Sequence, residues 1–125
     1  MMGKWMNLLA GGIAGTAARY VVSGTVYDLL GTTFPYGTLI VNLIGCFLIG
    51  VFASLSEEKF VLAPNVRLLL MAGFCGAFTT FSTFILETAN LTKDGQYVTA
   101  FLNILVSVIA GLVVFKCGVL VAELL

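Results

Sequence analysis

The chain has 125 residues, room for one domain, and no net charge: six basic residues balance six acidic ones, and histidine is absent. It is 60% hydrophobic and only 10% charged, against roughly 25% charged in an ordinary soluble domain. Such a composition cannot clothe a water-facing surface. It offers no basic stripe for nucleic acid and lacks the commonest metal ligand and proton shuttle, so lipid is the expected outer solvent.

The first apolar stretch covers about residues 5–26. Its start, MMGKWMNLLAGGIAG, resembles a signal peptide, but the run continues past Arg19 to Val26 without a convincing cleavage site and reads as a membrane span. Gly11 and Gly15 form a GxxxG pair with Gly12 beside them. Arg19 either snorkels to the interface or acts inside the membrane.

A turn-like GTTFPYG precedes the second stretch, about 37–55. Here Asn42 stands in GTLIVNLIGCFLIG, with Thr38 one helical turn before it on the same face. An amide in hydrocarbon must be paired. It either bonds another helix or offers its two N–H donors to a passing solute.

The third stretch, about 67–91, follows EEKFVLAPN and contains GAFTTFSTF. Gly73 and Gly76 followed by Thr79 and Thr80 predict a broken helix near residues 76–80. Such a break frees backbone groups, tolerated in a membrane only where protein, ions or water satisfy them. Phe81 and Phe84 are three apart and share a face, while Thr80, Thr83 and Glu87 trace a neighbouring stripe. The rings serve as core, lipid contact or ion contact. The hydroxyls, Ser82 included, either bond back to the preceding turn or line a path. Glu87 is the only acid well within a predicted span, which makes it a functional candidate.

The fourth stretch, about 97–122, follows TKDGQ and carries Asn103 and Ser107 four apart. They line the same path as Thr38 and Asn42 or bond helix to helix. Cys46, Cys75 and Cys117 lie in apolar sequence without metal-site spacing and read as small fillers.

Four spans joined by short connections predict an all-α membrane protein whose consecutive helices are antiparallel. Runs of this length without alternation exclude a barrel. Trp5, Tyr20, Tyr27, Tyr36 and Tyr97 fall near predicted ends, as interfacial rings do. Lys4, Lys59, Arg67 and Lys116 only slightly outweigh Lys93 and Arg19 on the other side. A bias this small permits insertion both ways and pairing with an inverted copy. Four short helices enclose little space alone, and the glycines at 11, 15, 45, 50, 73, 76, 111 and 118 suggest tight packing within one subunit or between copies.

The polar residues offer many neutral donors and few fixed charges. Aromatic ring edges are weakly positive. Together they suit a small anion held loosely, since conduction needs binding strong enough to offset lost hydration and too weak to trap the ion. Carboxylates or carbonyl rings would suit a cation path better.

GGIAGTAARY, GTLIVNLIGCFLIG and GFCGAFTTFSTFILE together resemble the Fluc (CrcB) fluoride channels of bacteria, over essentially the whole chain. The resemblance implies four transmembrane helices per subunit, the third broken, in a dual-topology antiparallel homodimer of the inner membrane. Its two pores would export fluoride passively. The paired phenylalanines would be Phe81 and Phe84, and the pore asparagine Asn42. Thr38, Ser82, Thr83 and Glu87 would belong to the polar track and Ser107 to the pore wall. Asn103 stands where some members have a tyrosine. Gly76 and Thr79 match the broken-helix positions whose carbonyls, with the partner's, hold a structural sodium ion (Na+). Arg19 matches a first-span arginine. A proton-coupled drug exporter of the small multidrug resistance type needs a carboxylate in the first span, and the predicted first span has none. A scaffold subunit without transport would leave the stacked hydroxyls and rings without a purpose.

Overall fold

The computed structural model describes all 125 residues and is helical with no strand. Helix α1 spans Met2–Leu30 and α2 spans Tyr36–Glu57. The third crossing is built in pieces: α3 (Pro64–Arg67), a π-helix over Leu68–Cys75, α4 (Gly76–Phe78) and, beyond a break, α5 (Phe81–Lys93). Helix α6 spans Tyr97–Glu123.

Local chemistry sets the boundaries. Gly31 ends α1 at φ 83°, a left-handed conformation that costs glycine nothing, and its N–H closes on the Tyr27 carbonyl at 2.9 Å. Pro64 opens α3 in the first turn, where its missing N–H has no helical acceptor to lose. The Thr80 side chain caps the N-terminus of α5. The π-helix is absent from the sequence expectation.

Three stretches are long and apolar enough to cross a membrane: Tyr36–Glu57, Pro64–Lys93 and Tyr97–Glu123. The sequence predicts four such spans. Helix α1 has 29 residues and a reach of roughly 40 Å at about 1.5 Å per residue. It falls short in apolar character alone, because Arg19, its threonines and its glycines dilute the run.

The closest packing also departs from expectation. The connections are short, yet α1 lies chiefly along the π-helix and α2 along α6. In both pairs the contacts advance in the same direction along the two chains, so the tightest neighbours are parallel helices two apart in sequence. Glycines make this possible. A Cβ at Gly11 would collide with the Leu69 carbonyl oxygen, and one at Gly15 with that of Phe74. A Cβ at Gly50 would strike the Phe115 carbonyl oxygen, and one at Gly118 that of Phe47. The GxxxG pair is therefore spent inside the subunit, with backbone against backbone. Gly12 has nothing within 4 Å and Gly76 only the Met71 carbonyl oxygen at 3.9 Å. These two face outward.

Charged groups gather at the helix ends. Arg67 pairs with Glu57 at 3.2 Å, and Lys59 donates to the Glu123 carbonyl at 3.2 Å. The Arg67–Glu57 pair is exposed and adds about 0–1 kcal/mol.

Candidate functional site

The third crossing breaks at two extended threonines, Thr79 (φ −89°, ψ 158°) and Thr80 (φ −148°, ψ 116°). The backbone groups freed there are largely recaptured. Thr79 sends its N–H (3.1 Å) and its hydroxyl (2.8 Å) back to the Cys75 carbonyl. Thr80 is clasped from α2. Its N–H donates to Asn42 Oδ1 at 2.8 Å, and its carbonyl accepts from Asn42 Nδ2 at 3.0 Å. One carboxamide thus pairs with both sides of one peptide residue, as a neighbouring strand would. Thr80 Oγ1 accepts the Thr83 N–H at 3.2 Å and lies 3.0 Å from Thr83 Oγ1 and 3.4 Å from Ser82 Oγ. The Thr79 carbonyl receives no donor.

Around this break lie three cavities. The first, about 370 Å³, is lined by Asn42, Thr79, Thr80, Phe81, Phe84 and Ser107, with Gly76 at its edge. The second, about 340 Å³, is lined by Arg19, Tyr27, Thr38, Thr80, Thr83 and Glu87. The third, about 370 Å³, lies toward the end of the bundle between Thr33, Asn90, Asp94 and Gln96 and is again bounded by Tyr27 and Glu87. Thr80 is the wall common to the first and second. Tyr27 and Glu87 are the wall common to the second and third. The three therefore follow one another along the third crossing.

The residues singled out by sequence divide between these spaces. Phe81 and Phe84 are neighbours, with ring centroids 5.8 Å apart and planes at 45°. Their environments differ sharply. Phe84 is 9% exposed and Phe81 74%, so the pair links the inside of the chain to its outer surface. Asn42 has one amide N–H committed to Thr80, leaving a second for the first cavity. Asn103 lines none of the three cavities. It is 1% exposed, and its Nδ2 donates to Thr88 Oγ1 at 2.9 Å, while Thr88 donates to the Phe84 carbonyl at 2.7 Å. It joins α6 to α5 behind the ring pair. Ser82 also lies outside the three cavities.

Glu87 is held by two hydroxyls on the same oxygen. Tyr27 Oη and Thr38 Oγ1 each donate to Glu87 Oε1 at 2.9 Å, and lie 3.4 Å from one another. Glu87 Oε2 is shielded from solvent and has no hydrogen-bond partner. Arg19 lines the same cavity without forming an ion pair. Tyr27 is the member that sequence reasoning missed, having been placed among interfacial rings. A signal was present: Arg19, Ser23 and Tyr27 are spaced by four and make a polar stripe on α1. No cluster of three or more His, Cys, Asp or Glu side chains occurs.

The sequence has relatives among known proteins. The family pattern described as "CrcB-like protein, Camphor Resistance (CrcB)" matches residues 6–119. A protein of Geobacter sp. (strain M21) named "Fluoride-specific ion channel FluC" is 48% identical over 114 residues, 91% of this chain and 92% of its own. One of the same name from Maridesulfovibrio salexigens is 48% identical over 103 residues, 82% of either chain. A third, from Solidesulfovibrio magneticus, is 42% identical over 125 residues and the full length of both.

Proposed function

Given that the chain belongs to the CrcB (FluC) family of ion channels, we propose that it is a membrane channel, and no enzyme, that lets fluoride leave the cell passively. The single observation that carries this reading is the row of three cavities past Thr80 and past Tyr27 and Glu87. It provides a route past the ring pair, apolar for the most part beside the rings, whose polar wall groups are mostly neutral donors.

A small anion sheds water on entering and needs hydrogens in return. The free Asn42 N–H, the hydroxyls of Thr83 and Ser107, and the edges of Phe81 and Phe84 supply them at several weak sites, while Thr38, whose hydrogen goes to Glu87, lines the track. No ammonium or guanidinium lines the cavity that holds the rings, so nothing there holds the ion tightly. Ser82 joins the polar track through its contact with Thr80. Asn103 acts behind the rings by bonding Thr88. Arg19 has a structural role beside Glu87.

The second copy is part of the same reading. Phe81, Gly12 and Gly76 face outward, where an inverted partner would complete the ring contact and give two pores. Helix α1 serves as the fourth span, its polar stripe turned inward. The weak charge bias suits insertion in both orientations in the inner membrane. A structural sodium ion also fits the donor chemistry. The Thr79 carbonyl receives no hydrogen bond, Gly76 is exposed beside it, and a hard cation takes oxygen ligands. Carbonyls of Gly76 and Thr79 from both copies would hold it, and its charge would bind the two breaks together.

The test is efflux from liposomes carrying the purified protein, read with an ion-selective electrode outside. Fluoride should leave rapidly, chloride negligibly, and the detergent particle should have the mass of two chains. Equal rates for the two ions would remove the selectivity, and a monomer that conducts would remove the dimer. Prolonged replacement of sodium by a bulky organic cation should abolish fluoride efflux. Full activity after such treatment would refute the sodium site.

A further inference from the structure

Tyr27 occupies a place that the fluoride-binding motifs do not explain. Its hydroxyl and Thr38 share Glu87 Oε1, each at 2.9 Å. Its ring lies on Gly37, where an added Cβ would collide with two ring carbons. Tyr27 and Glu87 are also the only two residues lining both the second and third cavities. The hydrogen bond between them is therefore the partition between the end of the bundle and the space beside Arg19.

We infer that Tyr27 is a positioning residue that holds the Glu87 carboxyl against the wall at this partition and keeps it from swinging into the anion's passage, an inference resting on the channel reading above. The physical reason lies in the two oxygens. Both hydroxyl donors go to Oε1, and Oε2 is buried with no partner. The Glu87 oxygens present lone pairs, so an anion meets repulsion wherever they swing toward it. Two donors on one oxygen fix the side chain, and Thr38 alone is a single pivot about which it turns. Gly37 makes the arrangement possible by letting the ring lie against α2.

The experiment compares the parent, Tyr27→Phe, Glu87→Gln and the double variant in the liposome assay. Tyr27→Phe keeps the ring on Gly37 and removes only the hydroxyl. Initial fluoride efflux should fall about tenfold in Tyr27→Phe, because one of the two donors that fix the carboxyl is gone. In the Glu87→Gln background the same change should alter the rate less than twofold, because a carboxamide carries its own N–H donors. A parent that conducts fluoride with Tyr27→Phe equally fast overturns the inference and leaves the channel reading intact. So does an equal loss in both backgrounds. A parent that conducts no fluoride defeats the channel reading instead. Infrared spectra give a readout independent of flux. The Glu87 carboxyl band, assigned by its loss in Glu87→Gln, should shift in Tyr27→Phe. In Glu87→Gln, the phenol C–O band of one of the four tyrosines should shift. Should either variant fail to assemble, the other still decides, and an unmoved band overturns the inference.

Discussion

Replacing Asn42 with alanine should lower fluoride efflux by at least about a hundredfold and lower thermal stability as well. The clasp on Thr80 is the reason. Without the carboxamide, the Thr80 N–H and carbonyl lose their partners together. Each unsatisfied buried group costs about 1–3 kcal/mol. With no protein partner in place, nothing holds the extended backbone against α2, so the break either collapses toward helix or separates from α2. Either change moves Phe81 and Phe84, which begin directly after the break. The measurement pairs efflux with a melting curve in detergent. Loss of flux with a parent-like melting temperature would show that Asn42 serves the ion alone and that the clasp holds nothing. Full retention of both would remove it from the site altogether.

Substituting isoleucine at the ring pair should separate two roles that one chain assigns to two phenylalanines. Phe81 is largely exposed, so Phe81→Ile leaves the subunit's own packing nearly unchanged. Its efflux should still fall by about ten- to a hundredfold, because the ring edge has no aliphatic substitute. Phe84 is buried, and Phe84→Ile should add a modest stability loss of about 1–2 kcal/mol from imperfect repacking to a similar fall in flux. Dimer mass should persist in both. Unchanged flux in both variants would mean that the rings only pack. Phe84→Ile that lost stability but not flux would confine the ion contact to the outer ring.

The placement of Asn103 against Thr88 bears on how such variants are read. Thr88 bonds the carbonyl of Phe84, so Asn103 on α6 supports the inner ring through two successive hydrogen bonds and stays out of the three cavities. A polar residue in a span is thus no proof of a path. Its side chain, once paired on both sides, is packing.

The sequence marked some features without help. Composition dictated lipid as solvent. Two β-branched threonines after Gly73 and Gly76 marked the interruption that appears at Thr79 and Thr80. Other features had no sequence signature. Hydrophobic periodicity identifies which residues share a face, but says nothing of which helix that face meets. Short connections suggested sequential neighbours. Consecutive helices do touch, but close approach at Gly11, Gly15, Gly50 and Gly118 joined α1 more tightly to the third crossing and α2 to α6. Tyr27 looked interfacial because its position along the chain is near a helix end, while its hydroxyl turned inward to an acid 60 residues away.

By itself, then, the order of amino acids determined the helical class, the placement of the long apolar runs, the point of interruption and the supply of neutral donors, because these depend on local backbone preference and on transfer from water. Only the tertiary structure decided which donors are consumed by other protein groups and which remain free, since that depends on distances of about 3 Å between residues far apart in the chain. It gave one Asn42 proton to Thr80, both Asn103 and Thr88 to the support of Phe84, and two hydroxyls to one oxygen of Glu87.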